Sequence, residues 1–147
     1  MRIISTAARS RAHVQFLMDS LKELDIFSVL SEEQAGRLMF YVDLVEFKEG
    51  ETILKEGEEG DSFYILYRGR VDVRTKGFLG MRKTLATLGR GDFFGELALI
   101  YNQPRSATIV CIETTRCFVL EKDGLDALMQ KNPDISGAIK DAAEKRR

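Results

Sequence analysis

The chain has no tryptophan, one histidine, two prolines and two cysteines in 147 residues. With His13 as its one imidazole it lacks the ligand set of most metal sites and of a histidine-based catalytic relay. Two cysteines do not make a disulfide framework, and they suit a reducing, cytoplasmic setting. Lysine and arginine number 22 against 23 acidic residues, a formal net charge of −1, so nothing in the overall charge calls for nucleic acid. No apolar run approaches the ~18 residues of a membrane helix. Ile3-Ile4 is too short for the core of a secretory signal. What remains is 44% hydrophobic and 31% charged, the composition of a folded domain with one core.

Glycine is unevenly spread: nine of the 12 lie between Gly50 and Gly95. Between them stand short runs of β-forming residues, Tyr41 to Phe47, Ser62 to Arg68, Val71 to Thr75 and Thr84 to Leu88. Two more, Ala107 to Ile112 and Arg116 to Leu120, flank a Glu113-Thr114-Thr115 turn. Many short strands with regular turn signals predict a sandwich, roll or barrel. The ends carry helical patterns instead. Val14, Leu17, Leu21 and Leu24 form an amphipathic stripe, and Ser31 with Gln34 spells a capping box before a short helix through about Met39. Leu125, Leu128 and Met129 mark another helix. Asn132-Pro133 is read as the N-cap and first turn of a last one, expected to be short and carrying Ile135 and Ile139. The class is α+β.

Charge is segregated as well. Eight acids and two lysines fall between Asp43 and Asp61, whereas seven basic residues and one acid fall between Arg68 and Arg90. These are either solvated turns and strand faces or opposed patches that mate with a partner or a second copy. Cys111 and Cys117 read as small core residues, His13 as a packing or surface residue, and Phe63, Tyr64 and Tyr67 mostly as core. Arg90-Gly91-Asp92 spells an adhesion tripeptide by coincidence, inside a glycine turn.

The segment with chemistry is Phe93 to Ile112, which holds two charges in twenty residues, Glu96 and Arg105. Buried charges are costly unless paired or bound. Gly95 can take a backbone conformation closed to other residues, and a short helical turn over Glu96 to Tyr101 would present N–H groups to an anion. Arg105, set by Pro104, has the planar fork that suits two phosphate oxygens. A carboxylate would repel that phosphate but accepts hydrogen bonds from sugar hydroxyls. The residues therefore describe a ribose-phosphate pocket, or else a buried Glu96–Arg105 salt bridge.

Phe94-Gly95-Glu96-Leu97-Ala98, a short spacer and Pro104-Arg105-Ser106-Ala107-Thr108 resemble the phosphate-binding cassette of the cyclic-nucleotide-binding domain family. The wording is nearest to the regulatory subunits of cyclic-AMP-dependent kinases. Gly50-Glu51-Thr52-Ile53, Asp61-Ser62-Phe63-Tyr64-Ile65 and Gly91-Asp92-Phe93 extend the likeness over most of the chain. The resemblance implies an eight-stranded antiparallel β-roll with helices before and after it. It implies a helical segment over residues 1–30, a binding roll over 31–132 with its cassette at 93–108, and a C-terminal helix over 133–147. It also implies roles. Glu96 would accept from the ribose 2′-hydroxyl and Gly95 would let the ligand approach the backbone. Arg105 and the N–H groups of Leu97, Ala98 and Ala107 would hold the cyclic phosphate, with Ser106 adding a hydroxyl beside phosphate and base.

Two departures stand out: Ser106 occupies a position that is usually Ala or Thr in the kinase relatives, and the last helix has no aromatic residue to cover the base. The expectation is a non-catalytic, cytoplasmic sensor with no cofactor, binding cyclic AMP or else cyclic GMP. It would signal to an effector domain or protein, with the terminal helices available to pair with a second copy. The competing reading is an interaction module of the same fold with no ligand.

Overall fold

In the computed structural model, which describes residues 1–6, 10–77, 80–95, 99 and 103–146, Ser31 and Gln34 close the capping box that their spacing predicts. Gln34 N donates to Ser31 Oγ at 3.1 Å and Ser31 N to Gln34 Oε1 at 2.9 Å. This cap starts α2 (Glu32–Leu38), which follows α1 (Arg11–Lys22), itself capped by Ser10. A 3-10 turn, Met39–Tyr41, delivers the chain into the strands. These are β2 (Val42–Phe47), β3 (Thr52–Leu54), β4 (Ser62–Arg68), β5 (Val71–Lys76), β6 (Arg82–Leu88), β7 (Phe93–Phe94), β8 (Thr108–Cys111) and β9 (Thr115–Glu121). Two helices follow, α3 (Lys122–Lys131) and α4 (Pro133–Arg146).

The strands form two antiparallel sheets. The five-stranded sheet has the order β1-β2-β9-β4-β7, where β1 is Arg2–Thr6, and the four-stranded sheet the order β3-β8-β5-β6. All four helices contribute to one core with the first sheet. Leu17 and Leu21 of α1, Leu38 of α2, Leu125 and Leu128 of α3, and Ile135 and Ile139 of α4 cluster with Leu44, Phe63, Ile65 and Phe118 of its strands. A second cluster lies between the sheets, joining Val45, Tyr64, Leu66 and Cys117 to Val71, Ile109 and Cys111. Strands facing both clusters are therefore buried on both sides, as β4 shows with five successive buried residues.

His13 packs as an aromatic edge on Tyr67 and Phe118, with ring centroids 5.1 and 5.4 Å away. Arg90 lies over the rings of Phe16 and Tyr67, 4.9 Å from each centroid, so the guanidinium of the would-be adhesion tripeptide is spent on the fold. Both cysteines are free and buried.

Three local expectations are corrected. Residues 2–6 are a strand rather than part of a helical segment: the β-branched pair Ile3-Ile4 finds the edge of β2, with Ile3 opposite Val45 and Arg2 bonded to Glu46 at 2.8 Å. This adds a ninth strand to the eight of β2 to β9. The last helix is not short. It runs 14 residues, because Ile135, Ile139, Ala142 and Ala143 all bury against the rest of the chain. Asn132 turns its side chain backwards, donating to Leu128 O at 2.8 Å and accepting from Arg37, and so ties α2 to the junction of α3 and α4. Arg37 adds a bond to Asp134 at 3.2 Å.

Candidate functional site

Arg105 is the most deeply buried charged residue among the described residues, 8% exposed. Its backbone is pinned by the turn after β3: Arg105 N donates to Glu58 O at 2.7 Å and its carbonyl accepts from Gly57 N at 2.8 Å. The side chain then runs inward beside β4, where Nη2 donates to Ser62 O at 2.7 Å. A guanidinium has five N–H donors, and among the described residues no carboxylate forms an ion pair with it. Burial pulls the guanidinium below its ordinary pKa, and the nearby Tyr64 and Asp61 act the other way. An arginine remains charged under such a shift. Asp61 itself accepts from Ser62 Oγ at 3.0 Å.

Gly95 closes the other side of the guanidinium. Its φ is +89°, and a Cβ there would stand 2.5 Å from Arg105 Nη1 and 2.9 Å from Ser62 O. Both the backbone conformation and the space therefore require glycine. What approaches the Gly95 backbone in the structure is Arg105, a role that the expectation of a ligand's approach did not include.

Beside this pair lies a cavity of about 260 Å³. Gly95, Arg105, Ser106 and Ala107 line it, together with Leu54, Val73, Phe94 and Ile109. One cation, the Ser106 hydroxyl and the Gln103 amide thus border a cavity with an apolar wall, the layout that orients an anionic ligand with a flat apolar part. Phe94 is itself fixed by stacking on Tyr64, centroids 5.1 Å apart and planes 17° from parallel. Of the expected site residues, Gly95, Arg105, Ser106 and Ala107 come together at this cavity. Glu96, Leu97 and Ala98 lie outside the described residues, as does most of the helical turn expected over Glu96 to Tyr101. Leu99 is described, fully buried, in the same cluster as Leu125 and Leu128 of α3. The apolar wall was missed in the sequence, although Val71-Asp72-Val73 and Thr108-Ile109-Val110 show the alternation that places Val73 and Ile109 on one face. Nothing in the sequence signals the Ser62 carbonyl.

A family model described as the cyclic nucleotide-binding domain matches residues 44–132. The chain belongs to that family. Among relatives, a cGMP-dependent protein kinase of Eimeria tenella is 38% identical over 109 residues, which is 74% of this chain and 10% of the kinase. A cAMP-dependent protein kinase regulatory subunit of Debaryomyces hansenii is 33% identical over 117 residues, 80% of this chain and 25% of the subunit. The chain thus spans a quarter or less of each of these two relatives.

Among solved structures, the regulatory domain of Toxoplasma gondii PKA with cAMP matches with a TM-score of 0.77 at 26% identity, covering 95% of this chain and 49% of that one. The N-terminal domain of a transcriptional regulator from Streptomyces coelicolor matches with the same score at 27% identity, covering 87% and 90%. The roll with flanking helices is therefore the family's fold. Among the described residues no helix is long and apolar enough to cross a membrane.

Proposed function

We propose that this domain is a non-catalytic sensor of a 3′,5′-cyclic nucleotide, with cyclic AMP preferred, and that ligand capture is passed to the terminal helices. The observation that carries the reading is Arg105, a buried cation with no described acid partner, aimed beside a cavity with an apolar wall. Arg105 would hold the cyclic phosphate and Ser106 would lie beside phosphate and base. Glu96, by the family pattern, would take the ribose 2′-hydroxyl, with the N–H groups of Leu97, Ala98 and Ala107 assisting at the phosphate. Val73, Ile109 and Leu54 would receive the base. Leu99 supports the relay, since it belongs to the cassette and shares a core with Leu125 and Leu128. The Arg37 bonds to Asn132 and Asp134 would then carry the movement of α3 and α4 to α2. The effector that reads these helices is a further domain or protein.

Calorimetry with cyclic AMP tests the binding. Arg105→Ala removes the one described cation that lines the cavity, which is expected to cost about 2–5 kcal/mol, or roughly 30- to several-thousand-fold in affinity. Wild-type affinity in that variant would overturn the assignment. Base preference is a smaller effect. One neutral hydrogen bond is worth about 0.5–1.5 kcal/mol, so Ser106 shifts the ratio of cyclic AMP to cyclic GMP by roughly tenfold or less. Competition binding is expected to show Ser106→Thr narrowing the ratio and Ser106→Ala widening it. An unchanged ratio in both variants removes Ser106 from base selection.

A further inference from the structure

β6 pairs with β5 and, among the described strands, with no other. Six of its seven residues are exposed and Leu88 is half-buried. Its outer edge therefore offers backbone N–H and C=O groups to a further strand. Over the face of the same sheet, reaching β6 at Arg82, is an open hollow of about 550 Å³ bounded by Lys55, Arg74, Lys76 and Arg82, together with Glu56 and Thr108. Val73 lines the nucleotide cavity while Arg74 lines this hollow, and Ile109 and Thr108 divide in the same way. Successive residues of a strand face opposite sides of its sheet. The hollow therefore lies on the reverse of the strands that wall the cavity.

The charges here are not balanced internally. Lys76 stands directly opposite Arg82 in the β5–β6 register, and like charges so placed repel each other. Among the described residues Lys55, Lys76 and Arg82 have no ion-pair partner, while Arg74 is held by Asp72 at 3.1 Å. Glu56 is the one carboxylate lining the hollow. Its Oε1 accepts from Lys76 N at 2.9 Å and Thr75 Oγ1 at 3.2 Å.

We propose that this edge and its cations receive an extended acidic segment of a partner protein. The segment adds to β6 as a fifth strand and lays its carboxylates over Arg82 and the Lys76 that stands opposite it. Two independent features favour this occupant: an open backbone ladder gives affinity to a peptide strand, and the unneutralised cations select acidic side chains. The same cations turn away basic strands. A phosphate chain would meet the cations but leave the ladder unused. Antiparallel pairing of β6 with itself about Leu85 would set Arg82 against Leu88 and leave the cations without carboxylates.

The test is fluorescence anisotropy of the chain with a labelled peptide that alternates Glu and Thr and is long enough to cover β6. Two controls accompany it, the same peptide N-methylated at alternate residues and inorganic tripolyphosphate as competitor. The expected result is saturable binding, weakened roughly tenfold or more by Lys76→Glu with Arg82→Glu and by N-methylation, with cyclic AMP affinity unchanged in the variant. Equal binding of the N-methylated peptide would overturn strand addition. So would tripolyphosphate binding without peptide binding, or no binding of either. Sedimentation showing a dimer that the double variant dissolves would overturn the proposal in favour of a second copy.

Discussion

β4 and β6 are both seven-residue antiparallel strands, yet they lie at opposite extremes of the same roll. β4 sits between β9 and β7 with the helical core on one face and the inter-sheet core on the other, and Phe63 is 2% exposed. β6 closes the edge of the other sheet, and Leu85 is 55% exposed. The buried cation depends on the first of these strands, because the Ser62 carbonyl of β4 holds Arg105. A strand locked on both faces can position a buried charge. A strand with neither face covered can only present its own groups to a partner. The division leaves a rigid strand supporting Arg105 and an open one at the surface.

The largest expected effect tests that division directly. Phe63→Ala empties a fully packed position and is expected to cost about 3–5 kcal/mol in urea unfolding, whereas Leu85→Ala is expected to stay within about 0.5 kcal/mol. Similar costs for the two would show that β6 is covered in solution.

A second pair separates backbone strain from site geometry. Gly91 and Gly95 share a φ of +89°, but a Cβ at Gly91 meets nothing within 4 Å while one at Gly95 meets Arg105. Alanine at either position carries about 1–2 kcal/mol of strain. Only Gly95→Ala is expected to lose cyclic nucleotide affinity as well, since the guanidinium must move. Parallel loss at Gly91 would mean that the turn, not the contact, sets the site.

The cysteines give the smallest effect, one in each sheet. Burial pushes both thiols above their ordinary pKa, Cys117 of the five-stranded sheet furthest. The folded state therefore favours the neutral thiols. Their contribution to stability is complete below the unfolded thiol pKa of about 8.5 and is lost as pH rises above it. Unfolding midpoints are expected to fall between pH 8 and 10, less steeply in Cys117→Ala, and a thiol reagent is expected to reach Cys111 before Cys117. Faster labelling of Cys117 would reverse the ranking of the two sheets.

Much of this was legible in residue patterns because local rules governed it. Ser31 and Gln34 cap a helix through contacts three residues apart, and the stripe of Leu17, Leu21 and Leu24 buries as its period requires. The cassette motif marked Arg105, Ser106 and Ala107, and these meet at one cavity. The β1 strand was not legible, because Ile3-Ile4 is a strand only where β2 offers an edge. Nor was the length of α4, whose Ala142 and Ala143 are buried by elements far away in the chain.

The sequence by itself determined the class, the helices of α1 to α3, most of the strands of the roll and the motif that carries Arg105, since each follows from neighbouring residues and their spacing. Only the tertiary structure decided what surrounds that cation. The Ser62 carbonyl is 43 residues from Arg105, and Gly95 is a glycine partly because the folded arginine occupies the space of its side chain. It also decided that Arg74, Lys76 and Arg82 share an open hollow with Lys55. A strand's own alternation says which residues share a face, but which faces are covered depends on how distant strands and helices stack against them.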